Sequence, residues 1–63
     1  MTSVELRAIG DVVDVPTAAR YLGIGESLTR SMIKAGELPA LRLGRLIRIR
    51  TCDLITLTGG GAQ

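Results

Sequence analysis

The run GELPALRLGRLIRIR, from Gly36 to Arg50, constrains the fold more than any other stretch of the chain. Arg42, Arg45, Arg48 and Arg50 are spaced among Leu and Ile residues, so charge and apolar bulk alternate with the period of a strand. The pattern reads as a basic hairpin. If Leu41, Leu43, Ile47 and Ile49 are all to face one core, period-two geometry sets Leu43 opposite Ile47 and Leu41 opposite Ile49. Gly44-Arg45-Leu46 is then a three-residue loop; a two-residue Gly44-Arg45 turn would instead put Arg42 and Ile47 on the same face. The three-residue loop is therefore expected, with Arg42 directly across from Arg48. Opposed like charges destabilise a small ribbon by up to about 1 kcal/mol, unless an anion such as a nucleic-acid phosphate lies between them. The bland alternative is that both guanidinium groups splay into water or pair with Glu37 and Asp53.

Sixty-three residues make a single domain near the lower limit for folding without a metal or disulfides. Tyr21 is the only aromatic residue, so the core must come from Leu, Ile, Val, Ala and Met. No stretch approaches the roughly 20 apolar residues that cross a bilayer, and no signal-peptide pattern opens the chain. A soluble, cytoplasmic protein without a membrane partner is expected. With one cysteine, Cys52, and no histidine, neither an internal disulfide nor a metal site has enough ligands, and no cofactor is expected. The same census disfavours an enzyme or a small-molecule substrate, because no carboxylate pair or imidazole-activated nucleophile is available; Cys52 reads as a buried small residue.

Charge is unevenly distributed. Residues 1–29 carry two basic and four acidic groups, net −2, whereas residues 30–63 carry six basic and two acidic groups, net +4. This asymmetry suits a face for polyanions, although a solvated basic surface is its common meaning.

Along the chain, residues 1–13 have no clean period and read as an extended or partly ordered arm, with Val12 and Val13 entering the core. A short helix follows. Asp14 is its N-cap, Pro16 lies in its first turn, Ala18, Ala19 and Leu22 form its apolar face, and Gly23 stops it. Arg20 should face solvent, and Tyr21 should pack its ring while its hydroxyl stays wet. Gly25 opens a second helix with Glu26 near its start, a buried stripe of Leu28, Met32 and Ile33, Lys34 near its end and Gly36 as terminator. Two short helices joined by Gly23-Ile24-Gly25 are the pattern of a helix-turn-helix. Ser27, Arg30, Ser31 and Lys34 remain on one outer side, and their residue types contact phosphates or base edges. After the hairpin, Thr51 is placed to cap a last short helix through Asp53, Leu54, Ile55 and Leu57. The organisation expected is an arm over 1–13, a folded domain over 14–58 and a flexible tail over 59–63.

With those residues in place, AARYLGIGESLTRSMIKAGELPALRLGRLIRI resembles the excisionase-type winged helix-turn-helix domains, relatives of the MerR DNA-binding domain, over about Asp14 to Leu57. The most specific features are Ala18-Ala19 with Leu22-Gly23, then Gly36-Glu37-Leu38-Pro39-Ala40 with Arg42, Gly44, Arg45, Arg48 and Ile49. The resemblance implies a mostly α fold with a small β-hairpin, the MerR-like winged helix-turn-helix, whose second helix enters the major groove while the wing lies on the neighbouring minor groove or its phosphates. Residue by residue, Ser27, Arg30, Ser31 and Lys34 correspond to the recognition-helix positions and Arg42, Arg45 and Arg48 to the basic wing. Three positions depart from the pattern: Gly25 replaces a capping Ser or Thr, Arg50 stands where proline is frequent, and Arg30 occupies an often aromatic position.

The function implied is that of an excisionase, or recombination directionality factor. Such a protein binds double-stranded DNA near a phage or mobile-element attachment site, bends it, associates with further copies of itself in arrays, and directs an integrase toward excision. It would act in a bacterial cytoplasm, at the nucleoid, or be phage-encoded. A small MerR-like transcription regulator is the alternative, although the chain offers no coiled-coil segment for it. A third reading is a winged module that binds protein and not DNA.

Overall fold

The computed structural model describes residues 1–59. Four helices surround a three-stranded antiparallel sheet: α1 (Ser3–Ile9), β1 (Val12–Val13), α2 (Val15–Leu22), α3 (Glu26–Lys34), β2 (Leu41–Leu43), β3 (Leu46–Arg50) and α4 (Thr51–Thr58), with strand order β1-β3-β2. One core joins all the layers. Leu6, Val13, Val15, Ala18, Leu38, Ile49, Leu54 and Ile55 are buried together, and Tyr21, Leu22, Met32, Ile33, Ala40 and Ile47 pack around them.

The first thirteen residues are not an extended arm. Ser3–Ile9 is helical because Thr2 and Glu5 cap each other: the Glu5 amide donates to Thr2 Oγ1 at 3.1 Å and the Thr2 amide to Glu5 Oε1 at 2.8 Å. Leu6 anchors the helix in the core. Val13 enters the core as expected and pairs with Ile49, while Val12 lies opposite Arg50 and stays exposed.

The helix pair follows its local signals. Asp14 caps α2 by accepting the Thr17 amide at 3.0 Å, and Pro16 sits in the first turn. At the other end Gly23 takes a left-handed φ of 72°, and the Gly23 and Ile24 amides donate to the Arg20 and Ala19 carbonyls. That is a Schellman closure, which reverses the chain abruptly enough for α3 to begin three residues later. The same bonding recurs after α3, where the Gly36 and Glu37 amides donate to Ile33 and Met32. Leu38, buried immediately beyond, secures the exit into the wing.

The wing register differs from the one expected. Leu41 pairs with Arg48, Arg42 with Ile47 and Leu43 with Leu46, joined by a two-residue Gly44-Arg45 turn. Gly44 has φ +66° and Arg45 a negative φ, the pattern of a type II′ turn, whose twist matches that of the strands it joins. Because Val13 pairs with Ile49, the core takes Ile49 and Ile47 from β3, and Arg42 shares their side of the sheet. Leu43 and Leu46 turn to the outer face, 55% and 54% exposed. Arg42 and Arg48 therefore occupy opposite faces, and no repulsion between them needs an anion to relieve it.

Two further expectations fail near α4. Thr51 is its first residue and not its cap: its amide and hydroxyl both donate to the Asp11 carbonyl, at 3.0 and 3.3 Å, tying α4 to the start of β1. Cys52 is exposed, because α4 buries Thr51, Leu54 and Ile55 and so turns Cys52 outward. The Tyr21 hydroxyl lies 3.1 Å from Thr58 Oγ1, linking α2 to α4. Gly59 ends α4 with φ 68°, and the rest of the tail expected over 59–63 lies outside the described residues.

Candidate nucleic-acid interface

The outer side of α3 follows from how its inner side is anchored. Thr29 is fully buried, and its amide and hydroxyl both donate to the Gly25 carbonyl, at 3.1 and 2.9 Å. A buried hydroxyl would otherwise be costly; here it is satisfied within its own turn. With Thr29, Met32 and Ile33 facing inward at about 100° per residue, Ser27, Arg30, Ser31 and Lys34 all fall on the exposed side. Leu28, expected in the buried stripe, lies beyond Met32 on the far flank and is 53% exposed. Small Thr29 takes the inward position and packs α3 on a helix whose own buried residues include Ala18 and Ala19, so the two helices approach closely.

The wing cations divide into two kinds. Arg42 and Arg45 are exposed. Arg48 is half-buried and donates through Nη1 to the Ile47 carbonyl at 2.9 Å. Its charge also reaches Asp14: hydrogen bonding by Thr17, side chain first and amide second, holds the Asp14 carboxyl below the ordinary range, and Arg48 lowers it further. Glu5 is lowered too, first by the Thr2 amide and then by the Thr2 hydroxyl.

Helix and wing meet across two adjoining depressions. One is lined by Arg30, Ile33, Lys34, Arg42 and Ile47. Its neighbour is lined by Arg30, Arg45, Leu46, Ile47 and Arg48, together with Asp14, Val15 and Pro16 at the start of α2. Arg30 and Ile47 form the shared wall. Three cations thus line the first depression, and a single carboxylate faces three cations in the second. Among the described residues the ion pair present, Arg50 to Asp53 at 3.8 Å, lies outside both. Arg30, Lys34, Arg42 and Arg45 consequently present unneutralised charge to one side of the molecule. Of the residues singled out from sequence, these four and Arg48 border the depressions, while Ser27 and Ser31 stand on the outer side of α3 without lining either. Leu46 was not singled out; as a presumed loop residue it carried no signal.

A helix pair with a tight glycine turn, followed by a cationic wing against the second helix, defines a DNA-binding domain of the winged helix-turn-helix class. The chain belongs to the helix-turn-helix domain family, whose model matches residues 12–57. The match begins at β1 and ends one residue short of the end of α4, so it takes in both helices of the motif and the whole wing. A search of curated proteins finds no match. Family and fold both point to a DNA-binding protein and away from a catalytic one. No helix among the described residues is long and apolar enough to cross a membrane.

Proposed function

We propose that the protein binds double-stranded DNA with α3 in the major groove and the wing against the flanking minor groove, and that it serves as an excisionase-type accessory factor. Ser27, Arg30, Ser31 and Lys34 read base edges and adjoining phosphates, and Arg42, Arg45 and Arg48 contact the flanking minor groove or its phosphates. The observation that carries this reading is Arg30, the common wall of two cationic depressions that join recognition helix and wing. A polyanion laid across that wall touches both elements at once.

The accessory role rests on the motif resemblance of the helix pair and wing. In that role several copies bind side by side near an attachment site, bend the DNA and favour assembly of an excisive integrase complex, in a bacterial cytoplasm or on a phage genome. Bending costs of order 1–6 kcal/mol, more than one small domain readily supplies, so neighbouring copies share it. Footprinting and a circular-permutation bend assay on attachment-site duplexes test this. Cooperative protection with a bend is expected. Protection of one isolated site without a bend would place the protein with small MerR-like transcription regulators instead.

A further inference from the structure

Leu43 and Leu46 are the residues the fold explains least. They are cross-strand partners next to the wing turn, both more than half exposed, and they lie on the sheet face that turns away from Ile47 and Ile49. Between them, at the second turn position, stands Arg45, exposed and without an ion-pair partner among the described residues. The wing therefore ends in a cation flanked by two apolar side chains. Leu46 and Arg45 also border the depression that contains Arg30 and Arg48. Whatever occupies that depression meets the tip as well.

The chemistry of the tip selects its site on a duplex. Phosphate ridges offer charge but little apolar surface. A minor groove offers both, since its walls are deoxyribose C–H surface and its floor is negative, most so where an A·T-rich tract narrows it. An arginine between two leucines fits that combination: the guanidinium points to the floor and the leucines cover the sugars. Building on the DNA-binding reading above, we infer that Leu43 and Leu46 are DNA-contact residues that seat Arg45 in the flanking minor groove, giving the protein a preference for A·T-rich sequence beside its α3 site. The preference arises from groove width and needs no base-specific hydrogen bond from the wing.

The test uses a duplex selected by the intact protein from a random pool, prepared with A·T-rich and G·C-rich flanks, and fluorescence anisotropy of the full chain and its Leu43→Thr/Leu46→Thr variant. Threonine retains strand preference, and thermal melting of the variant confirms that the domain is folded. The full chain is expected to favour the A·T-rich flank roughly fivefold or more. The variant should lose that preference and bind about tenfold more weakly, with an unchanged salt slope because no phosphate contact is removed. A folded variant that binds as tightly as the full chain and keeps the flank preference overturns the inference and leaves the leucines as a protein-docking surface. If the full chain selects no duplex at all, the DNA-binding reading itself fails, an outcome distinct from the first.

Discussion

The turn between α2 and α3 and the turn at the wing tip each depend on a glycine with positive φ, yet they sit in opposite surroundings. Around Gly23 the backbone closes on itself through the Ala19 and Arg20 carbonyls, and the helices it joins bury Val15, Ala18, Ala19 and Thr29. Around Gly44 the ribbon buries almost nothing, and its nearest neighbours, Leu43 and Leu46, face solvent. The first turn fixes where α3 points; the second leaves its side chains free for a partner. Orientation and contact are thus supplied by different halves of the motif, with Arg30 where they meet.

The difference is sharpest within the sheet. Ile49, fully buried between β1 and the helices, should cost about 2–5 kcal/mol when replaced by alanine, a large part of the stability of so small a domain. Leu43→Ala, on the exposed face of the adjacent strand, should change stability by less than about 0.5 kcal/mol. Urea denaturation of the two variants reads this directly; similar losses would mean that the outer face of the wing is packed after all.

Gly23→Ala comes next. Nothing crowds a methyl group there, so the whole effect is the left-handed backbone, about 1–2 kcal/mol. A melting temperature equal to that of the unmodified chain would show that the Schellman closure does not define the turn.

Arg42 and Arg48 separate contact from structure. Arg42→Ala is expected to leave thermal stability unchanged and to reduce the salt slope of DNA binding by about one. Arg48→Ala should weaken binding and also destabilise the fold by about 0.5–1.5 kcal/mol, because it removes the bond to the Ile47 carbonyl and a favourable charge near Asp14. Equal behaviour of the two variants would erase the distinction between a free and a tethered wing cation.

The smallest effect is acid sensitivity. The carboxyls of Asp14 and Glu5 titrate below their ordinary values when folded. Their stabilisation is therefore complete above the unfolded pKa values, about 3.9 and 4.3, and is lost as pH falls through the lower folded ones. Asp14→Asn keeps a capping oxygen but removes one titration, so stability measured between pH 5 and pH 2, a range chosen to bracket about those values, should fall less steeply than in the unmodified chain.

How much of this is legible in the sequence depends on how local the cause is. Asp14, Pro16, Gly23 and Gly36 announce the helix pair because caps act within a few residues. Thr2-Ser3-Val4-Glu5 carries an equally local capping signal for α1, but the aperiodic apolar residues after it obscure the helix. The wing register is a different kind of problem. Grouping Leu41, Leu43, Ile47 and Ile49 on the core face is the economical choice for a hairpin considered alone, and it fails because β1 pairs with β3 and the type II′ turn at Gly44-Arg45 turns Leu41 and Leu43 away. Thr51 is likewise decided by a distant group, the Asp11 carbonyl, forty residues away in sequence. At the candidate site the cations were visible from their positions alone; that Arg48 is tethered and Leu46 borders the site required the packing of α2 against the sheet.

The most direct test of the central claim, that α3 and the wing form one DNA-binding face, is fluorescence anisotropy of the purified protein on a labelled duplex over a series of salt concentrations, repeated with Arg30→Ala. Binding at low salt should give log K falling with log salt at a slope of about −3 to −6, which corresponds to roughly 3 to 7 phosphates, and Arg30→Ala should weaken it strongly while leaving the fold intact. Absence of binding at low salt, or affinity indifferent both to salt and to Arg30, would contradict the claim.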